Sequence, residues 1–177
     1  MMSRKTGLSA ARAREMLDYN PSTGEFVAAR NSGNRRVGDR AGNVRSDGYT
    51  TISVDGVQYL AHRLAWLVCH GSWPDGDIDH INGDAADNRI ANIRVATPSQ
   101  NLANSKRSRR NRSGHKGVHY DSHYRRWYAT MRLKGKYVFV GSYLSKEDAV
   151  AARSKAGRDL HGEFHSDEVR VVSRGKT

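Results

Sequence analysis

Residues 77–104 read DIDHINGDAADNRIANIRVATPSQNLAN, and the rhythm of this stretch decides the kind of fold. An apolar run at 78–81 gives way to an interval at 82–91 rich in Asp, Asn and Gly, residues that bond their own backbone and favour turns. A second apolar run covers 93–96. Thr97 then suits a helix N-cap and Pro98 the first helical position, so Asn101 falls in the first turns of a helix reaching about Ser105. Strand, loop, strand and helix in so short a span predict a small α+β module.

The chemistry of the stretch lies in Asp79 and His80. Neighbours on a strand point to opposite faces unless the strand twists or ends there. The pair nevertheless suits phosphodiester hydrolysis: a carboxylate is a hard oxygen ligand for Mg²⁺ or Mn²⁺, and an imidazole takes a proton from water near neutral pH. Asn101 offers a second, neutral oxygen ligand, and the Asn92 amide can bond loop backbone and fix the histidine. A generic loop explains any one of these residues. Their order and spacing carry more weight, with twelve positions from His80 to Asn92 and nine from Asn92 to Asn101. Asp84, Asp87 and Asn88 could ligate a metal, but turn chemistry is the simpler reading.

Upstream, YTTISVDGVQYLAH at 49–62 places Asp55-Gly56 between two β-rich runs, the signature of a two-residue hairpin turn. A helix is expected over 62–69, ended by Gly71 and Pro74; His62 at its start is expected to pack more than to touch phosphate. Residues 1–48 form an N-terminal extension. Within it, Ser9 caps a helix over 8–19 whose Ala10, Ala13, Met16 and Leu17 recur at helical spacing, and a short strand follows at 25–28. Cys69 is the single cysteine, which excludes an intramolecular disulfide, and its apolar neighbours Leu67 and Val68 predict burial.

Downstream, residues 104–116 carry six Lys or Arg and no acid, so a solvated tether centred on 106–113 is expected. Residues 114–165 then offer three β-rich runs at 117–120, 127–133 and 137–143, the last two joined by Lys134-Gly135. Ser145 and Asp148 open a helix with Ala149, Ala152, Ala156 and Leu160 on one face. A three-stranded antiparallel sheet covered by one helix is the expected second module, with 166–177 as a tail.

A net charge of +12 with 37% hydrophobic residues suits small modules with thin cores and a polyanionic partner. No run of 18 apolar residues occurs, so no membrane partner and an intracellular setting are expected.

HRLAW at 62–66, IDHINGD at 78–84, DNRIANIR at 87–94 and ATPSQN at 96–101 closely resemble the HNH endonucleases of the phage and intron homing type, over residues 49–105. That resemblance implies a ββα-metal fold in which His80 is the general base, Asp79 and Asn101 hold one divalent metal, and Asn92 positions the histidine's loop. Asn101 stands where other branches carry a His, which favours Mg²⁺ or Mn²⁺ over Zn²⁺. The second module resembles the AP2 (ERF-type) DNA-binding domain through KGVHY at 116–120, WYATMR at 127–132, FVGSY at 139–143 and the Ala-rich helix. It implies double-stranded DNA as partner, met at the matching positions His119, Trp127, Arg132 and Phe139. Arg125, Arg126, Arg132, Lys134 and Lys136 cluster on the same small sheet and are expected to contact phosphate, and Lys116 completes the expected DNA-binding set. His119 stands where the family has Arg and Phe139 where it has Trp, so no base preference carries over. Expected is a DNA endonuclease or nickase. The alternatives are a non-cleaving DNA-binding regulator built on the same modules, and an RNA-binding protein, which explains the charge but not the spacing.

Overall fold

The computed structural model describes residues 7–105, 111–133 and 135–165. The chain divides into two compact units, Met1–Val95 and Ala96–Thr177.

In the first unit, Ser9 accepts a hydrogen bond from the Arg12 amide and opens helix α1, Ala10–Met16. The helical spacing at 8–19 continues past the point where the helix stops. Leu17–Tyr19 is instead strand β1, paired antiparallel with β2, Phe26–Ala28, which in turn pairs with β3, Arg40–Ala41. Long-range pairing overrides local propensity here: Leu17 is buried, and the Tyr19 ring lies 4.6 Å from Phe26.

Strands β4, Asn43–Val44, β5, Thr50–Val54, and β6, Val57–Leu60, make a second antiparallel sheet. Asp55 and Gly56 both take positive φ in the β5–β6 turn, 49° and 77°, as the Asp-Gly pair predicts. Helix α2, Ala61–His70, follows directly and ends on a left-handed Gly71. It buries Ala61, His62, Leu64, Ala65 and Leu67. Cys69 is exposed, contrary to expectation, because the apolar run wraps around the helix and position 69 falls off the core face. Strands β7, Asp77–His80, and β8, Ile93–Ala96, form a two-stranded sheet whose Ile78 and Ile93 join Leu17, Ile52 and Leu64 in one core.

In the second unit, Thr97 and Gln100 form a reciprocal capping box at the start of α3, Pro98–Asn104. Strands β9, Val118–Asp121, β10, Arg126–Leu133, and β11, Lys136–Tyr143, form an antiparallel sheet with β10 central. Helix α4, Lys146–His161, begins at Ser145, which accepts from the Asp148 amide. Its buried positions are Ala149, Arg153, Gly157 and His161, one residue in four, and not the expected column through Ala152, Ala156 and Leu160. Leu160 is exposed. The cause lies at the entry to β9, where Gly117 is so close to the Arg153 side chain and the Thr130 carbonyl that no side chain fits on its α-carbon.

Among the described residues no helix is long and apolar enough to cross a membrane.

Candidate active site

His80 is the last residue of β7, and the chain turns at once, with the Gly83 amide donating to the His80 carbonyl at 2.8 Å. Because the strand ends there, Asp79 and His80 are both buried, at 4% and 5% exposure, despite being neighbours. The Asp79 carboxylate is held by Arg94 of β8, whose Nε and Nη2 both lie 3.0 Å from Oδ2.

The loop after β7 is shaped by its own side chains. Asn92 accepts from the Asn82 amide at 3.0 Å through Oδ1, while its Nδ2 donates to Asn82 Oδ1 and to the Asp87 carbonyl. The Asn92 carbonyl accepts from the Ile81 amide, so one asparagine ties both ends of the loop to its middle. Asp87 serves Arg89 and Asn82. The Arg89 guanidinium beside it holds its carboxyl down at about 2. Asp84 accepts from the Ala86 amide. These two acids do turn work.

Asn88 differs from them. Its Oδ1 lies 3.5 Å from His80 Nε2, the long end of hydrogen-bond range, and its Nδ2 donates to the Ala86 carbonyl. In the sequence Asn88 reads as one more loop-shaping residue, and its neighbours Asp87 and Arg89 give no sign that it alone turns toward the histidine. With its proton on Nε2, the ring would donate to this amide oxygen and carry its basic lone pair on Nδ1.

Two further rings meet His80. His62 of α2 packs edge-on at 5.0 Å between centroids, and Tyr49 lies 5.9 Å from His80 and 5.4 Å from His62. Burial pushes the His80 imidazole below its ordinary range, against the opposing pull of Asn88 and Asp79. It pushes His62 much further, down to about 3, helped by His80 and Arg63. Both rings are neutral at neutral pH.

Residues upstream hold this loop from behind. The Tyr19 hydroxyl donates to the Asn88 carbonyl at 2.8 Å, and a Cβ on Gly24, at φ +76°, would stand 2.5 Å from the Arg89 amide nitrogen. The N-terminal extension is therefore part of what positions Asn88.

The remaining expected residues lie in the second unit. Asn101 is half-buried in α3, its amide donating to the Thr97 carbonyl. Lys116 is turned to the end of that helix: its Nζ donates to the carbonyls of Leu102, Ala103 and Ser105 and to Ser105 Oγ. On the open face of the sheet, His119 stacks on Tyr128 at 5.6 Å and Tyr128 meets Phe139 at 6.0 Å, so three strands contribute to one aromatic row. Arg132 is exposed over the Tyr137 ring. Lys136 is exposed at the start of β11, Arg125 is exposed in the turn before β10, and Arg126 is half-buried. Trp127 faces the other way, packed with Val140, Tyr143 and Val150 against the Val118–Ala129–Ala149 cluster. Lys134 lies outside the described residues.

The family model for HNH endonucleases matches residues 59–103. Protein 3.8 of Escherichia phage T7 is 32% identical over 106 residues, which span 58% of this chain and 85% of that protein. No solved structure matches.

Proposed function

Since the chain belongs to the family of phage T7 Protein 3.8 and carries an HNH endonuclease domain at residues 59–103, we propose that it is a metal-dependent DNA endonuclease or nickase with His80 as general base. The observation that carries this reading is the setting of His80: a buried imidazole, pushed below its ordinary range by burial, beside a buried carboxylate and with an amide oxygen at Nε2. Such a ring is ready to accept a proton at physiological pH, where a solvated imidazole would be partly charged.

HNH nucleases generally use divalent metals. Asp79 and Asn101, the pair that the family resemblance names, would offer a cation oxygen alone, which suits a hard one. Among the described residues no group of three or more His, Cys, Asp or Glu gathers into a cage. Mg²⁺ is commonly held by one or two protein oxygens, with water and substrate phosphate completing its shell. Asp79 and Asn101 are thus proposed as the ligands of one Mg²⁺ or Mn²⁺. When bound, that ion supplies charge stabilisation at the phosphate and the departing oxygen.

The chain's own residues do the rest. His80 Nδ1 takes a proton from water, the hydroxyl oxygen bonds to phosphorus, and the bond to the 3′ oxygen breaks, the alkoxide taking its proton from solvent. Arg94 holds the Asp79 carboxylate in place. Asn88 fixes the base's tautomer, and Asn92 holds the loop that carries Asn88. In the second unit, His119, Arg125, Arg126, Arg132, Lys136 and Phe139 are proposed to contact double-stranded DNA, as the AP2 resemblance implies. Tyr128 joins them through the shared aromatic row. Lys116 and Trp127 belong to this proposal less directly, through the helix and the core they support.

Supercoiled plasmid incubated with Mg²⁺ or with EDTA tests the reading. Nicked or linear product with Mg²⁺ alone is expected; unchanged plasmid under both conditions, at protein concentrations that retain DNA, contradicts it.

A further inference from the structure

The two faces of the β9–β11 sheet are built differently. Alternation along β10 sends Ala129 and Met131 inward, where both are buried, and Tyr128, Thr130 and Arg132 outward. On the neighbouring strands His119 pairs with Tyr128, Phe139 with Thr130, and Tyr137 with Arg132. Aromatic rings therefore gather on the outward face. His119 and Tyr128 lie 5.6 Å apart with their planes within 16°, Tyr128 and Phe139 lie 6.0 Å apart, and the Arg132 guanidinium stands 5.4 Å from the centre of the Tyr137 ring. Phe139 is 62% exposed and Tyr137 80%. Cross-strand pairing explains why the rings are neighbours. It does not explain why two of them stay in water on a sheet whose core lies on its other face, and an exposed apolar patch of this kind marks a binding surface.

The chemistry of the face selects its occupant. In a duplex each base is covered above and below by its neighbours, and the groove offers base edges, which call for hydrogen-bonding side chains. Unpaired bases offer flat faces, and these stack on aromatic rings. Arg126 and Arg132 stand at the two ends of the same face of β10, in position for a polyanionic backbone. Asp121, the only acid in the three strands, is engaged with the His123 and Tyr124 amides.

Resting on the reading of this sheet as a DNA interface, we propose that its outward face binds unpaired DNA bases, stacked on His119, Tyr128 and Phe139. The arginines serve the phosphates of duplex and single strand alike, so the aromatic row is what favours the unpaired form.

The test titrates full-length protein in EDTA with a labelled single strand of mixed sequence and with the matching duplex, at the same salt, by fluorescence anisotropy. Phe139→Leu keeps apolar bulk and removes the flat face. It should lower single-strand affinity relative to duplex affinity by about fivefold or more, and Phe139→Trp should restore the ratio. If Phe139→Leu melts below wild type, Tyr137→Leu carries the same comparison at a more exposed ring. Single-strand and duplex affinities that fall together overturn the preference for unpaired bases and leave the sheet as a duplex interface. Affinities unchanged for both DNAs in both variants overturn it as well, and with it the reading of this sheet as a DNA interface.

Discussion

A buried imidazole whose charged form is penalised ties stability to pH. The folded-state value of His62 lies near 3, against about 6.5 for a free imidazole. Between those limits the unfolded chain binds more protons than the folded one, so stability is complete above pH 6.5 and is lost as pH falls toward 3. The slope from one such group approaches about 1.4 kcal/mol per pH unit. His80 shifts in the same direction and adds to it. Denaturant unfolding at pH 7, 6, 5 and 4 should show this decline, and His62→Phe should flatten it; equal slopes in the two proteins would contradict the neutral, buried assignment. At this scale the sequence revealed identities and spacing. It did not reveal that His62 meets His80, or that Asn88 and not Asp87 turns to His80, because those contacts depend on how α2 and the loop are brought against β7.

Among the elements, two supports carry distinct predictions. The β1–β2 turn reaches the loop after β7 through Gly24, where positive φ and the Asn88–Arg89 backbone both exclude a side chain. Gly24→Ala should cost more than about 1 kcal/mol in urea unfolding and lower kcat through the displaced Asn88. A variant as stable and active as wild type would show that the turn does not brace the loop. In the second unit, the Lys116 ammonium bonds the last carbonyls of α3, where a cation also complements the helix dipole. Lys116→Met should loosen α3, seen as faster amide exchange at Leu102–Ser105, while leaving the salt dependence of DNA binding unchanged. A shallower salt dependence would mean that Lys116 neutralises a phosphate.

Elements with local chemistry were legible in advance. The Asp55-Gly56 turn, the Thr97 cap with Pro98 behind it and the Ser145 cap follow from residues a few positions apart. Elements set by distant partners were not. Leu17–Tyr19 leaves the helix because Phe26–Ala28 offers a strand partner, and α4 turns Arg153 inward because Gly117 makes room beneath it. Cys69 shows the same limit, since an apolar run names a helix without saying which of its residues face the core.

For the whole molecule, a charge of +12 on 177 residues predicts DNA affinity dominated by counterion release. Neutralising about six phosphates would weaken binding by roughly a thousandfold between 50 and 200 mM salt. Fluorescence anisotropy with a short duplex should follow that slope in EDTA; affinity insensitive to salt would contradict a phosphate-following surface.

Cleavage is the claim on which the rest depends, and His80→Ala tests it most directly. Wild type and variant are compared on supercoiled plasmid with Mg²⁺, at concentrations giving equal DNA retention in EDTA. Loss of general-base assistance should slow cutting by about 10²–10⁴ while DNA affinity stays within twofold. Equal cutting rates at equal binding would contradict the assignment of His80 and, with it, the proposed active site.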